Sequence, residues 1–92
     1  MKNWFLYIVE CADGSYYTGI TTNLQRRLLE HNYSDSSGSK YTRSRRPVRL
    51  VYSEACDNRS DASKKEYAMK KKSRQQKRLI VEKYKGGSND LQ

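Results

Sequence analysis

The run Trp4–Cys11 is apolar and β-prone at nearly every position, and such a strand must be covered on both faces. It predicts a central strand. Ala12-Asp13-Gly14 follows, then a second β-prone run, Ser15–Ile20, so the two make a hairpin. Two registers compete. A two-residue turn at Asp13-Gly14 pairs Cys11 with Tyr16 and puts Tyr7 and Tyr17 on opposite faces. A three-residue loop, with Gly14 left-handed as a bulge, pairs Cys11 with Ser15. Tyr7 then lies opposite Gly19 and Tyr17 opposite Val9, all on one face. The second register is preferred, and it leaves an open space over Gly19 beside two phenols.

The second strand runs directly into a helix. Thr22 with Gln25 reads as a capping box, which starts the helix at about Asn23. Leu24 and Leu28 define its inward stripe, with His31 beside Leu24, Arg27 at the edge, and Arg26 and Glu30 pointing away. Arg27 and His31 are four residues apart and project from one side. A phenol, a guanidinium and an imidazole are so gathered by one strand–turn–helix unit, a set suited to phosphodiester cleavage. Taken singly, each has a plainer explanation: the tyrosines as strand aromatics, Arg27 as a solvated helix residue, His31 as a satisfied core histidine. Their joint spacing is what points to chemistry.

Asn32–Arg46 is polar and Ser-rich and reads as a long loop with little structure of its own. Lys40, Arg43, Arg45, Arg46 and Arg49 follow one another without an acidic residue, and Tyr41 sits among them. Cations with an interleaved aromatic suit a phosphate backbone and a stacked base. Pro47–Ala55 predicts a third strand, with Val48, Leu50 and Tyr52 alternating against Arg49, Val51 and Ser53. Asp57 and Asn58 offer caps for a second helix running to about Lys72. On it Ala62, Glu66, Met69 and Ser73 share one stripe. A carboxylate in an inward stripe needs a partner. An ion pair with Arg27 or Arg43 and a metal-ligand role stand level here. Ser73 with Gln76 opens a third helix with Leu79, Ile80 and Tyr84 inward, ended by Gly86-Gly87. The expectation is one domain over 1–87 and a frayed tail over 88–92, with no internal repeat.

The chain has 92 residues and a net charge of +9, an excess that calls for a polyanionic partner, nucleic acid before anionic membrane. Between Lys64 and Lys85 there are ten Lys or Arg and two Glu. That predicts salt-sensitive, largely sequence-independent binding. No strong hydrophobic face with Trp or Phe accompanies these cations, which argues against a membrane surface. No apolar run approaches the roughly 20 residues of a bilayer span, and the first residues lack a signal-peptide pattern. Cys11 and Cys56 show no metal spacing, so reduced thiols in a cytoplasmic protein are expected.

Phe5-Leu6-Tyr7, Tyr17-Thr18-Gly19, Asn23-Leu24-x-x-Arg27, His31 and Glu66 on a later helix together resemble the GIY-YIG nuclease domain over about residues 4 to 84. Lys40-Tyr41-Thr42-Arg43 followed by Pro47 looks like the catalytic domain of a eukaryotic structure-specific endonuclease that resolves branched DNA. Length and layout are most similar to small stand-alone bacterial members. Phe5 and Leu6 replace the Gly and Ile of the first motif, Thr18 replaces the Ile of the second, and the family's late polar residue has no clear counterpart beyond Gln75 or Gln76. The resemblance implies an α+β fold, a three-stranded antiparallel sheet in the order β-β-α-β-α-α flanked by helices. It implies a metal-dependent endonuclease acting on nucleic acid, DNA before RNA, with substrate selectivity left to the basic loop or to a protein partner. Glu66 would hold one Mg²⁺ or Mn²⁺. Arg27 would neutralise charge on the phosphate, and Tyr7 or Tyr17 would help deprotonate water, with His31 as a relay. Lys40, Tyr41, Arg43, Arg45 and Arg46 would contact nucleic acid. The alternative is a nucleic-acid-binding module on the same fold that cleaves weakly or not at all.

Overall fold

Trp4–Cys11 takes the central place its composition requires. The computed structural model describes residues 3–90, except for the side chains of 86–90. Its elements are β1 Trp4–Glu10, β2 Tyr16–Thr21, α1 Leu24–Tyr33, α2 Lys40–Arg43, β3 Arg49–Cys56, α3 Arg59–Lys70 and α4 Arg74–Asp90. The three strands form an antiparallel sheet in the order β2-β1-β3. Hairpin pairing sets Tyr7 opposite Gly19 and Val9 opposite Tyr17. Gly14 has φ 84° and the Cys11 N–H donates to the Ser15 carbonyl, so the three-residue loop is the one formed.

Side-chain alternation along β1 divides the core in two. Leu6 and Ile8 join Val51, Cys56, Ala62, Met69 and Val81 beneath α3 and α4. Tyr7 and Val9, with Cys11 and Val48, pack under α1 and are closed by Tyr17, Leu24 and Leu28. Asn32 fastens the end of α1 to the start of the third strand: its side chain donates to the Val48 carbonyl and accepts from the Val48 N–H.

Several local expectations change. The 32–46 stretch is not structureless. α1 runs on to Tyr33, and Ser39 caps the short α2 through the Tyr41 N–H, giving the order β-β-α-α-β-α-α. The N-cap of α1 is Asn23, whose side chain accepts from the Arg26 N–H, because Thr21 Oγ1 already binds the Asn23 N–H. The third strand starts at Arg49, and an irregularity opposite Ile8 and Val9 breaks its alternation. Val51 and Tyr52 therefore both join the core under α3 and α4, while Leu50 pairs with Val9 on the other face. The Ser73–Gln76 capping box forms in both directions. Beyond it Val81 is buried, whereas Leu79 is 60% exposed. α4 continues through Gly86 and Gly87 to Asp90; the expected frayed tail lies partly, at 91–92, outside the described residues.

Candidate active site

The two tyrosines of the hairpin meet the helix that follows it. Tyr7 is 2% exposed, and its ring covers Gly19 across the pair. A Cβ built on Gly19 would sit 2.5 Å from the Tyr7 hydroxyl oxygen, so any side chain there would drive the phenol away. From α1, His31 Nε2 lies 2.8 Å from that oxygen and Arg27 Nε 3.4 Å. Tyr17 meets the His31 ring edge-on at 5.2 Å between centroids. The structure thus brings Tyr7, Tyr17, Arg27 and His31 together.

The proton positions follow from the partners. Thr42, fully buried on α2, donates its hydroxyl to the Ser39 carbonyl at 3.2 Å. It must then accept from His31 Nδ1–H, 2.9 Å away. Nε2 is left with a lone pair, which accepts the Tyr7 O–H. The Tyr7 oxygen accepts in turn from Arg27. The chain of bonds runs one way, from Arg27 through Tyr7, His31 and Thr42 to Ser39. Burial, aided by the positive charge of Arg27, pushes His31 down to about 4, so the imidazole is neutral at pH 7. Burial pushes Tyr7 up to about 12; the hydrogen bond and charge of Arg27 act against this, and the Glu66 charge adds to it. Thr42 is the member sequence reasoning passed over. In the sequence it figures only as part of the Lys40-Tyr41-Thr42-Arg43 run, with no role of its own, and that run says nothing of a ring nitrogen.

Arg27, with 24% of its side chain exposed, reaches outward from Tyr7, with one terminal nitrogen 3.0 Å from Glu30 Oε1 and 2.6 Å from the Ser37 carbonyl. Glu30 therefore turns toward Arg27 rather than away. At the rim Tyr41, 38% exposed, stacks on Tyr17 at 5.9 Å, and the Arg45 guanidinium lies 3.9 Å over the Tyr41 ring. Arg45 also pairs with Asp13. Arg46 donates to the His31 and Ser34 carbonyls and pairs with Asp35, so it closes the C-terminal end of α1 instead of facing a ligand. Lys40 and Arg43 are exposed beside them.

Glu66 stands apart from this cluster. Its neighbours on the stripe, Ala62 and Met69, belong to the core on the other face of the sheet. Its carboxylate pairs with Lys70 at 3.4 Å, not with an arginine, and is 25% exposed. It is still near enough for its charge to act on the Tyr7 phenol. Among the described residues no group of three His, Cys, Asp or Glu could hold a metal. One hard carboxylate, open to water, fits Mg²⁺ or Mn²⁺, which keep their waters and take a substrate phosphate oxygen. It does not fit zinc, which wants a closed set of nitrogen and sulfur ligands. Cys11 and Cys56 are free, buried thiols. No helix is long and apolar enough to cross a membrane among the described residues.

A family model described as the GIY-YIG catalytic domain matches residues 3–79. A UPF0213 protein of Desulfotalea psychrophila is 63% identical over 78 residues, 85% of this chain and 70% of that one. One of Halobacterium salinarum is 51% identical over 75 residues, 82% and 95% of the two chains. The solution NMR structure of a UPF0213 protein from Bacillus halodurans is similar at a TM-score of 0.54 and 43% identity, over 86% of this chain and 82% of that one. That of an E. faecalis protein is similar at 0.58 and 39%, over 91% of each.

Proposed function

The chain belongs to the GIY-YIG catalytic-domain family, and from that premise we propose that it is a divalent-metal-dependent endonuclease that hydrolyses phosphodiester bonds in nucleic acid, in DNA before RNA. The observation that carries this reading is the Tyr7 hydroxyl, held within hydrogen-bond reach of both the Arg27 guanidinium and His31 Nε2.

A free phenolate at Tyr7 is disfavoured twice, by burial and by the negative charge of an incoming phosphate. The same phosphate favours a cation at His31. The proton therefore moves in relay: the attacking water gives a proton to the Tyr7 oxygen as Tyr7 passes its own to His31 Nε2. The water oxygen forms the new bond to phosphorus. The bond to the leaving sugar oxygen breaks with its electron pair staying on that oxygen, which takes a proton from solvent, and the proton of the attacking water rests on His31. Thr42, accepting from Nδ1–H, keeps the lone pair on the nitrogen that faces Tyr7. Arg27 exchanges Glu30 and the Ser37 carbonyl for the phosphate and neutralises charge growing on it. Tyr17, half-buried against His31, forms the wall of the site at the rim. Glu66 would hold one Mg²⁺ or Mn²⁺, which when bound polarises the phosphoryl oxygen.

The second reading, binding without cleavage, is favoured by one observation: Arg27 already has a carboxylate and a carbonyl as partners. A cleavage assay with Mg²⁺ or Mn²⁺ on duplex, single-stranded, flap and four-way DNA, and on RNA, decides between them. The endonuclease reading expects Glu66→Ala, Arg27→Ala and Tyr7→Phe to lose cleavage and keep salt-sensitive binding. Equal residual cleavage by wild type and Glu66→Ala supports the binding module.

A further inference from the structure

Beside the candidate site the surface turns the end of the hairpin. There Ser15, Tyr16, Tyr41, Arg74 and Lys77 line a cleft of about 180 Å³. Its members come from three places that the chain keeps far apart. Tyr16 opens β2 and is partly buried against the core under α3 and α4. Tyr41, on α2, is the ring that stacks on Tyr17. Arg74 and Lys77 are on the first turn of α4, and Arg74 is held across the hairpin by a bond from its guanidinium to the Gly14 carbonyl, 3.1 Å. Among the described residues no carboxylate pairs with Arg74 or Lys77, whereas Arg78, one residue on, pairs with Glu82. A neighbouring cavity of about 350 Å³ shares Tyr16 and Arg74 but adds Glu10 and Glu82 beside Arg78 and Lys85, so its cations, unlike those of the cleft, share the wall with carboxylates.

The Tyr41 ring already holds Tyr17 and Arg45, so a base stacks on Tyr16 or takes the place of Arg45 on Tyr41, and the two cations without a carboxylate partner meet its flanking phosphates. A duplex cannot use such a cleft, because its bases are already stacked on each other. Tyr41 is common to the cleft and to the stack against Tyr17, so a strand in one is continuous with the other.

We propose that this cleft is a subsite for an unpaired nucleotide, so that the chain takes nucleic acid with a single-stranded segment next to the bond at the Tyr7–Arg27 site. The proposal rests on the nuclease reading for the second half of that statement only; the cleft's affinity for single strands does not need cleavage. It is tested by fluorescence anisotropy with the full chain and EDTA present, using a labelled single strand and a blunt duplex of equal length. Arg74 and Lys77 lie outside both core clusters, so the double variant Arg74→Gln/Lys77→Gln reports on binding rather than folding. The wild type is expected to bind the single strand at least tenfold tighter than the duplex. The double variant should lose about tenfold on the single strand, and its plot of log affinity against log salt should be shallower by about 1.4, two contacts at about 0.7 each. A single strand carrying 2-aminopurine should be quenched on binding, and less so by Tyr41→Leu. Equal affinity for single strand and duplex, or an unchanged salt slope in the double variant, overturns the proposal. Tight single-strand binding with no cleavage under any metal leaves the subsite standing and removes the nuclease reading.

Discussion

The two faces of the sheet share one strand and differ in what they bury. Under α3 and α4 the core is Leu6, Ile8, Val51, Cys56, Ala62, Met69 and Val81. Under α1 and α2, one residue out of phase on the same strand, the structure buries a phenol, an imidazole and a threonine hydroxyl. Each of these three groups has a partner, as does the Thr21 hydroxyl on the same side. On the apolar side the Thr18 hydroxyl, opposite Ile8, is buried and has none among the described residues. Burying a polar group without a partner costs about 1–3 kcal/mol. The contrast teaches that the polar face is organised around a complete hydrogen-bond chain, while the apolar face supplies the stability that makes room for it.

Removing charge from the polar face should have the largest effect. Arg27→Ala is expected to lower kcat/KM about a hundred- to a thousandfold, with little change in thermal stability or in salt-sensitive binding, as followed by cleavage kinetics and anisotropy. The mirror experiment is Ile8→Ala. It should cost about 2–5 kcal/mol in denaturant unfolding and leave cleavage per folded molecule unchanged. If the rate falls while the folded fraction is intact, the faces are not separate.

The polar face also makes stability depend on pH. His31 is held at about 4 in the fold against 6.5 free, so the unfolded chain binds more protons between these values. Stability is full above about pH 6.5 and falls by about 3 kcal/mol as the pH drops to about 4. Unfolding curves across that range should show the slope in the wild type and lose most of it in His31→Gln. The smallest effect belongs to the apolar side: Thr18→Val removes the orphan hydroxyl and should add about 1 kcal/mol in the same unfolding measurement.

The fold was largely legible because its strongest signals are local. A doubly covered strand, a glycine-closed hairpin and a complete capping box at Ser73–Gln76 are written in a few adjacent residues. The break in β3 that turns Val51 and Tyr52 to one side was not, since a bulge depends on the partner strand. α2 was missed because a four-residue helix leaves no periodic pattern. Of the site, the spacing of Tyr7, Tyr17, Arg27 and His31 foretold a cluster, and the cluster forms. The tasks of Arg46 and Thr42 were hidden, because a cation that caps α1 and a hydroxyl that orients an imidazole look in sequence like any member of a polar loop. The partner of Glu66 was hidden too: Lys70, one turn on, was available all along, and only packing shows that neither Arg27 nor Arg43 takes its place.

His31 is the chain's one histidine, so its ring nitrogens can be followed without ambiguity. Long-range ¹H–¹⁵N NMR of the imidazole through a pH titration tests the Tyr7–His31 pair directly. The account predicts a proton on Nδ1, a bare Nε2 and a midpoint near pH 4. A proton on Nε2 would contradict it, since the nitrogen facing Tyr7 could then receive nothing; a midpoint close to 6.5 would contradict the burial that holds His31 near 4.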